Sequence, residues 1–438
     1  MSAKKAGLII FLFLPTLLTL AQQPPRPFPI RTITAGVTLK DLGDTTTILN
    51  AISFLQQAEK TYQASGYTIQ TLRIATNNFT IYAGDRPYGS TLPYLKKIDS
   101  IARINNISIS IGQIIAGDRY PAGIEQWALQ LIQSTTNINF SVPISSHPLG
   151  IHKESIKAAA AIIIAISKNT EGGEGNFRFT ASANCPAGIP FFPAAYHEGP
   201  NSFAIGLESP GLLTEVFSHT TKEKARQDLT TAFEKALLPV QQIADEISAN
   251  SAKTNSTVAN STKTNGAKAN STKTSLSEKW IYDGIDDSPA PGLDASIGQA
   301  IETYTGQPFG SPSTLSACAL ITDVLKGLSI KKCGYSGLML PVIEDKVLAQ
   351  RAGEKRYTVQ ELLLFSSVSG TGLDVVPLPG NTPATKIENM LTDIAALSLK
   401  YTAKALSGRL FLIPGRSAGD TIEFKNPHLT KSTVMKIE

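Results

Sequence analysis

Between residues 30 and 167 the chain alternates short β-branched runs with longer stretches whose apolar residues recur every three or four positions. The strand-like runs are Ile30 to Val37 (IRTITAGV), Tyr67 to Ala75, Ile107 to Ile115 and Ile138 to Ile144. Between them lie helix-like stretches: Thr46 to Ser65, with Ile48, Ile52, Leu55 and Ala58 on one face, then Leu95 to Ile104 and Ile124 to Gln133. A helix between successive strands favours a crossover that brings the second strand back parallel to the first. The pattern therefore predicts an α/β fold with a largely parallel sheet or barrel. A further stretch, Ser155 to Ser167 (SIKAAAAIIIAIS), is apolar nearly all round. At 13 residues it is too short to span a bilayer and reads as a helix buried between layers.

Downstream, Asn176 to Ser209 holds two strand-like runs around a loop rich in Pro, Gly and aromatic residues, and Thr221 to Ala249 reads as one long amphipathic helix. The tract 250–275 carries Asn at 250, 255, 260, 265 and 270 in a five-residue repeat of Asn, Ser, Thr, Lys and Ala. Such a composition cannot bury apolar area and predicts a disordered insert. Deleting Asn250 to Thr274 is then expected to change stability by less than about 0.5 kcal/mol. Ile281 to Gly292 (IYDGIDDSPAPG) reads as a loop, followed by helices at Asp294 to Tyr304, Ser313 to Leu325, Val359 to Ser366 and Thr385 to Ala405. A strand pair, Arg409 to Pro414 with Thr433 to Ile437, is expected to close the chain.

Composition restricts the partners. The formal net charge is +5, but Lys4, Lys5, Lys253, Lys263, Lys268 and Lys273 lie in the N-terminal segment and the repeat tract, and removing them leaves −1 for the rest. A near-neutral folded part argues against a nucleic-acid partner. The N-terminus places Lys4 and Lys5 before an apolar run from Leu8 to Ala21. Residues 1–21 therefore read as a signal peptide, residues 22–29 as a Pro-rich spacer, and the expected address is secreted or periplasmic. Membrane contact is expected only through an uncleaved signal. Three cysteines, Cys185, Cys318 and Cys333, form no disulfide framework and no zinc spacing, and they read as buried thiols.

Candidate chemistry sits at the ends of apolar runs, where α/β folds place ligand groups. His197 and Glu198 follow an aromatic loop (FFPAAYHEG), and a histidine titrates nearest neutrality. Asp286 and Ser288 lie in GIDDSPAP, Glu344 and Asp345 in LPVIED, Asp374 in GLDVVPLPG, and Arg416 with Asp420 in PGRSAGD. The expected site assigns catalysis to His197, Glu198, Asp345 and Asp374. It assigns ligand contact to Asp286, Ser288, Arg416 and Asp420, with Arg416 pairing an anionic group. For Asp374 and Asp420, capping or turn roles compete with this reading. The segment contains no Walker A loop, strand-borne GxGxxG, GxSxG or HExxH. An enzyme acting on a small polar or anionic molecule, a non-catalytic binding or sensing protein with the same pocket, and an oligomer-forming structural protein are the three readings. Carboxylates converging in one pocket could hold a cation or supply an acid–base pair; no metal ligands are assigned, and the cofactor is unknown from the sequence.

Eight segments in order carry a resemblance: IRTITAGV (30–37), SANCPAGIPFFPAAYHEG (182–199), FAIGLES (203–209), YDGIDDSPAP (282–291), PFGSPSTLSACALITDVLK (308–326), CGYSGLMLPVIED (333–345), GTGLDVVPLPGNTP (370–383) and LIPGRSAGD (412–420). Through them the chain resembles the DUF711 family, also called UPF0210, from residue 30 to residue 438 apart from the repeat tract. The resemblance implies a single large barrel-like α/β domain of about ten strands with surrounding helices, similar to pyruvate formate-lyase-like glycyl radical enzymes. It implies no particular reaction. Gly334 in KCGYSG reads as the glycine of a tight turn rather than a radical carrier.

Overall fold

The alternating pattern folds largely where the sequence places it. The computed structural model describes residues 26–261, 279–292, 294–401 and 404–437. The expected signal peptide and most of the spacer lie outside the described residues. Ten strands form one sheet: β1 (Ile30–Val37), β2 (Ile69–Thr76), β3 (Ile107–Gln113), β4 (Ile138–Ser146), β5 (Gly150–Ile151), β6 (Phe179–Ala183), β7 (Ser202–Leu207), β8 (Ile281–Pro289), β9 (Gly372–Pro379) and β10 (Leu406–Ile413). Their order is β8-β7-β1-β2-β3-β4-β6-β10-β9, with β5 beside β4.

Neighbours from β1 through β6 along this order pair in parallel, as do β7 with β8 and β9 with β10. The joins β1–β7 and β6–β10 are antiparallel, so a central parallel set is flanked by two pairs running the other way. Residues from β1, β2, β9 and β10, distant along the strand order, line one cavity, so the sheet curves round it.

Strand pairing does not close the sheet into a barrel. The edges β8 and β9 are linked instead by an irregular segment, residues 331–342. Ile285 N donates to Lys331 O and Cys333 N to Ile285 O at one edge, and Val342 N donates to Asp374 O at the other. Proline, glycines and the turn at Gly334 to Ser336 keep this segment from regular pairing.

Helices cover the outside. Lys153–Asn169, the stretch read as apolar all round, is buried along Ile156, Ala158 to Ala160, Ile162, Ile163 and Ile166, and packs against Ile124–Ser134 and Ala384–Lys400. Burying side chains of this size is worth roughly 1.5–3 kcal/mol each, the main driving force for such a layer. No helix among the described residues is long and apolar enough to cross a membrane.

Three expectations are corrected. Residues 281–289 are the edge strand β8 rather than a loop, because pairing with β7 and burial override the turn-like composition. A separate helix, Pro210–His219, precedes the one expected over 221–249, which is Ala225–Ser261. The second continues into the repeat tract, where Ser251 Oγ accepts from Trp280 N, so 250–261 is helical rather than disordered. Residues 262–278 lie outside the described residues. Finally, the last strand pair is Thr421–Ile422 with Ser432–Thr433, while β10 pairs within the main sheet.

Candidate functional site

Two breaks in strand register aim charged side chains inward. Between β1 and β7 the register skips Arg31, and between β9 and β10 the residues Asp374 and Val375 together face Arg409. Val375 adopts φ +43°, a conformation strained for a β-branched residue. Such bulges re-aim side chains and recur beside functional sites.

The side chains so aimed line a cavity of about 380 Å³ inside the sheet. Arg31, Arg73, Arg178 and Arg409 face it, with Glu174, Glu344 and Asp374. Arg409 is committed: Nε donates to Asp374 Oδ1 at 2.6 Å and an Nη to Glu344 Oε1 at 2.7 Å. Arg31 pairs with Glu208 at 3.2 Å. The Arg178 guanidinium donates to the carbonyls of Ile132 and Ile138 and to Thr135 Oγ1 at 3.0 Å. Glu174 accepts from the backbone N–H groups of Lys425 and Asn426.

Arg73 differs. It makes no hydrogen bond or ion pair among the described residues, and its guanidinium carbon lies 5.1 Å from the centre of the Phe192 ring. Burial, reinforced by the neighbouring Arg31, pushes its pKa down to about 9. Glu344 acts in the opposite direction without bonding it, so Arg73 is a buried cation with an acid nearby but no hydrogen-bonded partner among the described residues. At the mouth, the His428 imidazole is also pushed below its ordinary value, first by burial and then by Arg31, so it is held neutral near pH 7.

The residues singled out from the sequence do not converge on this cavity. Of them only Asp374 and Glu344 line it. Asp345 caps two helices, accepting from Val347 N and Leu348 N of Lys346–Gly353 and from Ile297 N of Ile297–Thr305, and it also accepts from Ser296 Oγ at 2.7 Å. With its oxygens so engaged it clamps the two helix starts together, and it does not line the cavity. Asp286 accepts from Ser288 Oγ (2.6 Å), Tyr335 N (2.8 Å) and Ser336 N (3.0 Å), and Ser288 Oγ accepts from Gly337 N. Asp286 and Ser288 thus anchor the segment that links the sheet edges, and neither is placed as a ligand contact. Gly334 has φ +68°, and a Cβ there would lie 2.0 Å from Asp286 Oδ2, so glycine is required by both backbone and space. Asp420 closes a turn by accepting from Ser417 N at 2.8 Å, and Arg416 is exposed on the same turn, away from the cavity.

His197 and Glu198 belong to a separate cleft beyond the opposite strand ends, of about 600 Å³, with Asp283, Lys332 and Cys333. The His197 ring lies against Gly36 near the end of β1, where a Cβ would come within 2.3 Å of Nδ1. Its Nε2 is 3.1 Å from Gly199 O and its Nδ1 3.4 Å from Ser202 Oγ, which donates to Asp283 Oδ2 at 2.5 Å. Burial lowers the pKa of His197 and raises that of Asp283.

Sequence reasoning missed Arg73, Arg409, His428 and the acid Asp287. Asp287 is fully buried with neither carboxylate oxygen hydrogen-bonded, and burial, then the adjacent Asp286, pushes its pKa up to about 8. The available signal was an arginine inside an apolar strand, as in TLRIAT and SGRLFLI. The cysteines are free, and burial pushes the Cys185 and Cys318 thiols up to about 12. Among the described residues, no group of three or more His, Cys, Asp or Glu side chains is placed to hold a metal ion.

Comparison with known proteins places this geometry in a family. The family model described as an uncharacterised ACR, DUF711, matches residues 25–426. A UPF0210 protein of Pyrobaculum aerophilum is 25% identical over 379 residues, covering 83% of this chain and 77% of that one. UPF0210 proteins of Carboxydothermus hydrogenoformans and Clostridium perfringens are 23% and 24% identical, each covering 90% of this chain and 88% of theirs. The chain belongs to the DUF711 family.

Proposed function

We propose that the protein binds a small organic anion in the arginine-lined cavity, with its negative group on Arg73. One observation carries this reading: Arg73 is the cavity arginine that makes no hydrogen bond or ion pair among the described residues. A guanidinium presents a planar fork of donors matched to carboxylate or phosphate, and leaving it unsatisfied beside an aromatic face is costly unless a ligand supplies the acceptors. Arg409, held by Asp374 and Glu344, fixes the wall opposite. The imidazole of His428, exposed at the rim of the cavity, is a group able to accept a proton.

A thermal-shift screen of small carboxylates and phosphates tests the reading. Stabilisation by at least one anion in the wild type, and its loss in Arg73→Gln, is the expected result. Equal stabilisation of both proteins would remove Arg73 from the site.

A further inference from the structure

The cavity is not polar throughout. Besides the main core, the protein contains a second, small apolar cluster made of Cys185, Ile189, Phe191, Ala194, Ala290, Met339 and Ala405, with Tyr335 packed against it. Five of these eight side chains, those of Phe191, Ala194, Ala290, Met339 and Tyr335, also line the arginine cavity. Three chain segments bring them together. The loop between β6 and β7 supplies Phe191 and Ala194, the end of β8 supplies Ala290, and the segment linking the sheet edges supplies Tyr335 and Met339.

The cavity therefore has two kinds of wall. One holds Arg73 over Phe192 with Arg31 beside it; the other is an apolar lining that belongs to no other layer of the fold. Several polar groups between them are already occupied. Thr71 Oγ1 donates to Arg31 O at 2.6 Å, Asn139 Nδ2 to the carbonyls of Ile109 and Asn137, and Ser407 Oγ to Thr371 O at 3.2 Å.

From this we infer that the ligand is an amphiphilic acid, with one anionic group on Arg73 and an apolar body against Phe191 and Met339. The inference rests on the proposed anion site and adds the class of molecule that fills it. A polyhydroxylated anion such as a sugar phosphate would lay hydroxyl groups against Phe191, Met339 and Ala290 without partners, an unfavourable exchange for their hydration. A short alkyl or aryl acid instead replaces water at that wall and gains roughly 0.8 kcal/mol per methylene, about fourfold in affinity.

The test is a calorimetric titration of the full chain with straight-chain monocarboxylates from butyrate to octanoate, with benzoate, and with glycerol 3-phosphate as the polar comparator. Wild type, Arg73→Gln and Met339→Ala are titrated in parallel, each first shown to unfold in a single cooperative transition. Affinity is expected to rise about threefold to fourfold per methylene until the cavity is filled. Arg73→Gln should weaken every acid by a similar factor, about tenfold or more. Met339→Ala should weaken the longer acids by more than it weakens butyrate. An affinity independent of chain length, or tighter binding of glycerol 3-phosphate that still depends on Arg73, overturns the amphiphilic assignment and leaves the anion site standing. Binding that does not depend on Arg73 at all overturns the anion site itself.

Discussion

The two ends of the sheet invite comparison because each gathers charged groups around aromatic side chains from the same loop, residues 184–201. At the His197 end the buried polar groups His197 and Ser202 are engaged, His197 with Gly199 O and Ser202, Ser202 with Asp283, while Glu198 is exposed. At the arginine end most are engaged as well, through Arg409 with Asp374 and Glu344 and Arg31 with Glu208, but Arg73 is left over. A conspicuous cluster of titratable residues can be consumed by holding a loop in place. A single unmatched charge on a cavity wall is the stronger pointer to a ligand.

The largest expected effect is at the arginine end. Arg409→Ala leaves Asp374 and Glu344 facing each other with their common partner gone, all three side chains being about 10% exposed. Denaturant unfolding should show a loss of about 3 kcal/mol. A loss under about 1 kcal/mol would mean that the network is solvated, and the contrast between the ends would weaken.

Gly36→Ala probes the other end. The added methyl overlaps the His197 ring, and the expected loss is about 2 kcal/mol, largely recovered in the double variant Gly36→Ala with His197→Ala. Additive losses in the double variant would show that the ring does not rest on Gly36.

Asp287, on β8 between the two ends, sharpens the comparison through pH. Its folded pKa of about 8 lies far above the ordinary carboxylate value, so the folded state holds a proton that the unfolded chain has released. The folded state then binds more protons, and stability contributed by this group is complete at acid pH and is lost as pH rises toward 8. The slope is at most about 1.4 kcal/mol per pH unit. Asp287→Asn should flatten the stability profile between pH 5 and 8, and an unchanged slope would place the titration elsewhere.

The smallest effects concern the repeat tract. Ser251→Ala removes the acceptor of Trp280 N and should cost about 1 kcal/mol, whereas deleting residues 262–274 should change stability by less than about 0.5 kcal/mol. A larger loss from the deletion than from the point substitution would show that the tract packs. This separates two parts of a segment that composition alone treats as one.

The fold was legible wherever periodicity speaks for itself. β1 to β4 and the helices Thr45–Ala64 and Ile124–Ser134 lie within two residues of their expected places, because strand and helix differ in apolar spacing. The helix expected from Leu95 starts instead at Tyr88, and the short helix Phe79–Ala83 was not expected. β8 was illegible because IYDGIDDSPAPG carries turn chemistry. Its acids become tolerable only when Tyr335, Ser336 and Gly337, some fifty residues later, donate to Asp286 and Ser288. Long-range pairing of that kind leaves no local trace.

The candidate site failed to read for a related reason. Asp345 and Asp286 look functional because acids at strand ends are conspicuous, yet both are spent on backbone N–H groups. Arg73 stands out in TLRIAT only as a charge in an apolar strand, and the fold reveals that no group among the described residues hydrogen-bonds or ion-pairs its guanidinium. Of the acids chosen from sequence, only Asp374 and Glu344 reach the cavity, Asp374 through a bulge that no sequence pattern announces.

The central claim is that the arginine end, and not the His197 end, receives the ligand. Its most direct test is calorimetry on wild type, Arg73→Gln and His197→Gln with whichever carboxylate or phosphate most stabilises the wild type. The account predicts that Arg73→Gln weakens binding by about tenfold or more while His197→Gln binds as the wild type does. Unchanged binding in Arg73→Gln together with lost binding in His197→Gln would contradict it.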